Sequence, residues 1–362
     1  LKVMFDIGHP AHVHMFKNSI NLFEKRGHEV KVLLRDKDNA KRLLDSLGIE
    51  YLLLSGHARY LSNKAMTLGK NLLTARKLAK TWGADIFIGE SSYLSYISKI
   101  MGKISINVWL NERATLENTL FIPSTDIILT STSFEDKLPE SKVVRFPGNS
   151  ALAYLHPSYF SQDSQIKEKL GLNKNDSYSV IRLVAWKAAH DFKESGIPQS
   201  KLPTLISELE RYGHIYISAE EKISRNLSKY VLPLPPETMH HVLAGAKFHI
   251  GEGATMVMEA ADLGVPSIYI SSIRRGYLHE LEKYGLAHSF TTFEKAFPFI
   301  QDILKENADL VKKHNRLLQE SLDMNKLLVD IAENGAKDIL GNRDWWKDPK
   351  KRNKFEFVKG AK

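Results

Sequence analysis

Short apolar runs that stop at a glycine or a carboxylate alternate with helix-patterned stretches along most of the chain, and this alternation limits the fold more than any other feature. Lys2 to Asp6 is an apolar run that stops just before Gly8. His14 to Lys25 has helical spacing and ends at Gly27, and Glu29 to Leu34 is apolar again. Strand, helix and strand in so short a span make a βαβ unit with a right-handed crossover. Further strands are expected at 51–54, 85–89, 104–109 and 126–129, with helices at 64–82 and 93–101. The pattern restarts with strands at 179–184, 214–218, 248–250 and 266–270, and with helices at 201–212, 238–244, 254–263 and 308–331. Regular alternation of this kind builds doubly wound parallel sheets.

A chain of 362 residues is long enough for two domains of about 150 residues each. The two strand–helix series are separated by Phe146-Pro147-Gly148-Asn149-Ser150 and a Pro/Ser-rich stretch to Asp163. The expected division is therefore an N-terminal Rossmann-like domain over 1–155, a second over 156–340 and a basic tail over 341–362. Of the formal net charge of +9, residues 347–362 supply +5. The body is only mildly basic, so a nucleic-acid partner is not expected. The tail reads either as a solvated terminus or as a segment that docks on anionic head groups, and Trp345-Trp346 favours docking.

There is no cysteine, which excludes disulfides, thiolate metal sites and a Cys nucleophile. No apolar run approaches the roughly 18 residues of a membrane span. The first residues read as a strand rather than a secretory leader. The expected location is cytoplasmic, and membrane-peripheral if the tail docks.

The richest segment is Gly251-Glu252-Gly253-Ala254-Thr255-Met256-Val257-Met258-Glu259. A strand ends at Ile250, small residues turn the chain, and a helix opens near Ala254. Unpaired amides and the positive helix end then face the carboxyl edge of a sheet, where phosphate binds well. Gly251, Gly253 and Ala254 let a diphosphate approach the backbone, Thr255 adds a hydroxyl, and Glu259, one turn further, can accept from ribose hydroxyls. Close packing of helix on strand would ask for the same small residues.

Three histidines, His9, His12 and His14, follow the first strand. Imidazole titrates near neutrality and can take a proton from a hydroxyl. Packing, capping or a metal are the other uses open to them, and their spacing puts at most two on one helical face. Glu90 and Glu112 lie at or just beyond two strand ends, where they either assist catalysis or pair with neighbours such as Arg113. In the second series Arg182 lies mid-strand, where it is expected to be buried and paired. Lys187 falls beyond the strand end and can neutralise a departing diphosphate, with His190-Asp191 able to pair behind it. Ser218 and Glu220 end the next strand and can line a phosphate or base pocket. Asp36-Lys37-Asp38 matches a manganese-binding Asp-x-Asp by letters only and reads as an exposed turn. No phosphate loop ending in Gly-Lys-Ser/Thr occurs, and no Gly-x-Gly-x-x-Gly follows the first strand, which argues against an ATPase of that class and a nicotinamide dehydrogenase.

The Gly251–Glu259 segment resembles the donor-nucleotide site of GT-B glycosyltransferases, and Gly8-His9-Pro10-Ala11-His12 resembles the first loop of that superfamily. More narrowly, the chain is similar to an uncharacterised GT-B-like family known as domain of unknown function 354. That likeness is carried by DIGHPAHVHMFK at 6–17, ARY at 58–60, RLVAWKAAHD at 182–191 and GEGATMVMEAADLGVP at 251–266. The resemblance implies a GT-B fold, two Rossmann-like domains facing across a cleft. It implies His12 as the first-loop histidine with Gly8 beside it, Glu112 as the better acidic carry-over ahead of Glu90, and 234–240, including Met239, as the segment that cups the nucleobase. Donor contacts are then expected from Gly251, Gly253, Ala254, Thr255, Met256 and Glu259. The implied activity is metal-independent transfer of a sugar from a nucleotide-diphosphate donor, UDP-sugar favoured, to a glycan or lipid-linked acceptor, with no cofactor. A hydrolysing UDP-N-acetylglucosamine 2-epimerase and a non-catalytic nucleotide-sugar binder remain the alternatives.

Overall fold

The computed structural model describes residues 1–35, 40–54, 61–112, 115–184, 196–305 and 309–358. The chain forms two units. Among the described residues, one is Leu1–Tyr154 together with 321–358, and the other is Leu155–Glu320.

In the first unit, strands β1 (Lys2–Ile7), β2 (Glu29–Arg35), β3 (Tyr51–Leu54), β4 (Ile86–Glu90), β5 (Ile104–Val108), β6 (Ile127–Ser131) and β7 (Val143–Phe146) form one sheet. Its order is β3-β2-β1-β4-β5-β6-β7, with every pair parallel. β1 is buried from Val3 to Ile7, as expected of a central strand covered on both faces. Phe5 packs on Phe16 and Phe23 of the helix Pro10–Lys25, with ring centroids 5.4 and 5.9 Å apart. Successive strands are added on one side of β1 up to β3 and on the other side from β4 onward, so the loops after β1 and β4 meet at a topological switch point, where open α/β sheets bind ligands.

The second unit repeats the plan. Strands β8 (Tyr178–Leu183), β9 (His214–Ala219), β10 (Phe248–Gly251), β11 (Ser267–Ile270) and β12 (Ala287–Phe290) run parallel in the order β12-β11-β10-β8-β9. The switch point here lies between β8 and β10. Ile181, Ile217, Ile250 and Ile268 fill one face of this sheet, and Tyr178 and Val180 belong to the core on the other. Helices Met239–Ala244 and Ala254–Asp262 contribute to that second core through Val242, Leu243 and Ala260.

Two strands go beyond the sequence reading. β7 (VVRF) is short and broken in hydropathy by Arg145, whose buried guanidinium donates to Phe134 O at 3.2 Å and Glu140 Oε1 at 3.2 Å. β12 (AHSF) is an edge strand with Ser289 exposed, so it carries no apolar run.

The linear division into 1–155, 156–340 and 341–362 is corrected by the return of the chain to the first unit at Ser321. The single helix expected over 308–331 is instead two, Leu310–Glu320 and Met324–Asn334. Asp323 caps the second by accepting from Asn325 N at 3.0 Å and Lys326 N at 3.4 Å, which a continuous helix would not allow. Helix Met324–Asn334 then pins to helix Pro10–Lys25. Ser19 Oγ donates to Asn325 Oδ1 at 2.7 Å, and Asn325 Nδ2 and Asn18 Nδ2 both donate to Ala153 O, at 2.9 and 2.8 Å.

The basic segment is likewise built into this unit rather than left as a free tail. Trp345 is 1% exposed and donates Nε1–H to Arg145 O at 2.7 Å, and its ring meets Phe355 edge-on at 5.6 Å. Trp345 is therefore taken up by the core of this unit, while Trp346 stays half-buried at its surface.

Candidate functional site

The second unit gathers the densest set of expected site residues at the β8–β10 switch point. Gly251 ends β10 in register with Arg182 of β8, so both lie on the sheet face that carries Val180. A side chain at Gly251 would place Cβ 2.9 Å from His249 Nε2 and 3.3 Å from Arg182 Cβ. The glycine is therefore demanded by close approach. Helix Ala254–Asp262 begins directly afterwards, with Gly253 as N-cap and no side chain capping it. Its first amides are thereby available to an anion. Thr255 is exposed on this first turn and Met256 half-buried.

Glu252 is not part of that anion site. Its carboxylate accepts from Val184 N at 2.8 Å and Ile197 N at 2.6 Å. It thus ties the two backbone stretches that flank 185–195. Lys187, His190 and Asp191 fall within that stretch, outside the described residues, as do Asp36-Lys37-Asp38 and Arg113.

Glu259 sits one turn into the helix and is buried, and its Oε1 lies 3.2 Å from Nε2 of His240 on helix Met239–Ala244. Met239, next to His240, is half-buried. Ser218 and Glu220 hold Arg182: its Nη1 donates to Ser218 Oγ at 2.7 Å and its Nη2 to Glu220 Oε1 at 2.6 Å. Between these groups His249 is completely buried. Its Nδ1–H donates to Val180 O at 3.2 Å, and its Nε2 has no hydrogen-bond partner. Burial holds its pKa down to about 4, with Arg182 acting in the same direction against Val180 O and Glu259. The ring is therefore neutral at physiological pH.

In the first unit the β1–β4 switch point brings His12 and Glu90 together. Gly8 N donates to His12 Nδ1 at 3.4 Å, which places the ring proton on Nε2, and Nε2 stands 3.5 Å from Glu90 Oε2. Glu90 Oε1 accepts from Ser91 Oγ at 3.1 Å and Asn111 Nδ2 at 3.2 Å. Ser91, with φ of 41°, is the one non-glycine residue in the left-handed region among the described residues, a strain typical of functional turns. Glu112 has a different partner: its Oε1 accepts from Glu135 N at 3.1 Å. Of the three histidines, His9 caps helix Pro10–Lys25 through Ala11 N at 3.2 Å and His14 packs on Tyr154 at 5.4 Å. Among the described residues no group of three His, Asp or Glu side chains is placed to hold a metal ion.

Beneath this pair lies a buried ionic knot that the sequence reading missed. Arg35 donates to both oxygens of Asp6, at 3.1 and 3.0 Å, and its guanidinium lies 5.1 Å from the Tyr93 ring centroid. Ser92 Oγ donates to Asp6 Oδ2 at 2.6 Å. Burial opposes the Arg35 charge, but Asp6, Tyr93 and Glu90 outweigh it and raise its pKa. Gly8 is packed on this guanidinium, since a Cβ there would meet Arg35 Nη2 at 2.5 Å. An aspartate at the end of one strand and an arginine at the end of the next were a detectable signal, because β1 and β2 were both expected to be parallel neighbours. His240 and His249 had no such signal, since their roles depend on packing between elements.

The family description "Protein of unknown function (DUF354)" matches residues 1–336, and the chain belongs to that family. It is 25% identical over 327 residues to the uncharacterized protein MJ0665 of Methanocaldococcus jannaschii, covering 86% of this chain and 94% of that protein. Among solved structures it resembles UDP-GlcNAc 2-epimerase from Neisseria meningitidis bound to UDP-GlcNAc, with a TM-score of 0.62, 12% identity, and 88% and 94% of the two chains covered. It also resembles MurG of Acinetobacter baumannii, with a TM-score of 0.60, 15% identity, and 92% and 99% covered. At these identities the likeness is one of fold, and that fold is the GT-B arrangement of two Rossmann-like domains. No helix among the described residues is long and apolar enough to cross a membrane.

Proposed function

We propose that this member of the DUF354 family is a metal-independent glycosyltransferase that takes a sugar from a nucleoside diphosphate, UDP-sugar favoured, and passes it to a glycan or lipid-linked acceptor. The observation that carries the reading is the coincidence, at one sheet switch point, of an uncapped helix start after Gly251 and Gly253 with a buried carboxylate, Glu259, one turn further. The helix amides of Ala254 and Thr255 suit the diphosphate, and Glu259 suits the ribose diol. The fold it shares with a structure bound to UDP-GlcNAc supports the same ligand class.

Transfer needs two things from the protein. Negative charge grows on the departing diphosphate, and the helix end, assisted by Lys187, is assigned to it. The acceptor hydroxyl must lose a proton, and Glu90, oriented by the Nε2–H of His12, is assigned to take it. In this assignment Arg182, held by Ser218 and Glu220, adds fixed positive charge beside Gly251.

Calorimetric titration with UDP-, GDP-, dTDP- and CDP-sugars tests the reading. Micromolar binding of one class, lost in Glu259→Ala, supports it, and no binding of any class overturns it. A second reading, a hydrolysing epimerase, draws on the shared fold with a UDP-GlcNAc 2-epimerase. It predicts release of UDP and N-acetylmannosamine from UDP-GlcNAc with no acceptor present, whereas a transferase leaves the donor intact until acceptor is added.

A further inference from the structure

We propose that His240 is the positioning residue that aims the Glu259 carboxylate at the ribose, and so sets the preference of the site for ribonucleotides. The inference rests on the donor-site reading above. Glu259 and His240 come from different helices, Ala254–Asp262 and Met239–Ala244, and their side chains are only 9% and 13% exposed. A carboxylate so far removed from water has to be held by donors. His240 Nε2, 3.2 Å from Oε1, is one such donor.

A carboxylate on a two-carbon stem has a broad terminal torsion. A donor on one lone pair of Oε1 fixes its plane and leaves the remaining lone pairs pointing in set directions. Two vicinal hydroxyls then meet a prepared acceptor instead of ordering one as they bind, and preorganisation of this kind is what turns a hydrogen bond into affinity. The benefit falls only on a ligand that carries the hydroxyls. His240 is therefore expected to act on the difference between ribo- and deoxyribonucleotides rather than on binding in general.

The test is titration of the full-length protein with UDP and with 2′-deoxy-UDP, comparing the unsubstituted chain with His240→Ala and His240→Gln. A hydroxyl bonded to a charged acceptor is worth about tenfold or more in affinity. The unsubstituted protein should therefore prefer UDP by about tenfold. His240→Ala should reduce that preference to about twofold, weakening UDP several-fold more than 2′-deoxy-UDP, which keeps only one of the two hydroxyls, and His240→Gln, which keeps an N–H near the Nε2 position, should restore most of it. If His240→Ala does not fold, His240→Asn, too short to reach Glu259, takes its place. Equal weakening of both nucleotides, or a preference that survives the substitution, overturns the positioning role and leaves the donor-site reading standing. Absence of any preference in the unsubstituted protein overturns the ribose role of Glu259 and this inference together.

Discussion

The Nε2 atom of His249 lies 2.9 Å from the point where a Cβ on Gly251 would sit. The ring, neutral at physiological pH, fills the space under the turn that precedes the helix at Ala254, where Gly251 and Glu252 are buried and Gly253 is half-buried. Gly251→Ala forces the ring or the turn to move. Overpacking of this kind costs about 1–3 kcal/mol. The expected result is a lower thermal midpoint together with nucleotide binding weakened at least tenfold, on the order of 1.4 kcal/mol, measured by calorimetry. An alanine variant with unchanged affinity would separate this turn from the ligand.

His249 also gives the fold a defined response to acid. Its pKa is lowered from an ordinary 6.5 to about 4 in the folded protein, so the unfolded chain binds the extra proton between those values. Stability is complete above pH 6.5 and falls as pH drops toward 4, by about 3 kcal/mol in all from this group. His314, lowered by burial despite its bond to Asp262 O, adds a loss of the same sign. Urea unfolding at pH 7 and pH 4.5 should show the decline, and His249→Gln should make it shallower. An unchanged pH dependence in that variant contradicts the assignment.

Two glutamates seven residues apart should fail in different ways. Glu252 satisfies the amides of Val184 and Ile197, and removing it leaves the buried Ile197 donor unpaired at about 1–3 kcal/mol, with a smaller loss at the half-buried Val184 amide. Glu252→Ala should therefore lower the urea midpoint clearly. Glu259→Ala should weaken nucleotide binding by about tenfold to a hundredfold, the range for a hydrogen bond to a charged group, with a much smaller change in the midpoint. The reverse pattern would exchange their roles.

These contrasts show where the sequence was legible. The strand–helix alternation gave the two parallel sheets because buried strands and glycine-ended helices leave local traces. The Gly251–Glu259 segment was readable as a candidate site for the same reason: a strand, a turn and a helix follow one another in the chain. Glu252 and Ser218 could not be sorted from ligand contacts by sequence, since their partners, Val184 with Ile197 and Arg182, are distant in the chain. The two-part helix around Ser321-Leu322-Asp323 was missed because its periodic pattern continues across the break. What stops it is tertiary: Leu322 N donates to Pro147 O at 3.0 Å and Asp323 N to Phe355 O at 2.7 Å.

The return of the C-terminal segment to the first unit predicts a stability effect at a residue assigned to neither switch point. Trp345 is sealed against Phe355 and Arg145 O. Truncating a buried aromatic costs about 3–5 kcal/mol. Trp345→Ala should lower the unfolding free energy by that order, while Trp346→Ala, whose ring is half-buried, should do much less. A solvated tail would instead show both substitutions near neutral in chemical denaturation.

His12 and Glu90 should respond together in turnover and hardly at all in donor binding. They belong to the first unit, whereas the residues assigned to the nucleotide belong to the second. Loss of a general base costs roughly 10²- to 10⁴-fold in rate. His12→Asn and Glu90→Gln should each reduce sugar transfer within that range, and the double variant should be little worse than either, because residues that act as a unit are not additive. Glu112, which holds the Glu135 amide, makes the useful contrast. Glu112→Gln keeps an oxygen for that amide, so transfer should stay within a few-fold of the unsubstituted rate. A Glu112→Gln variant as slow as Glu90→Gln would move the proton-accepting role from β4 to the loop after β5.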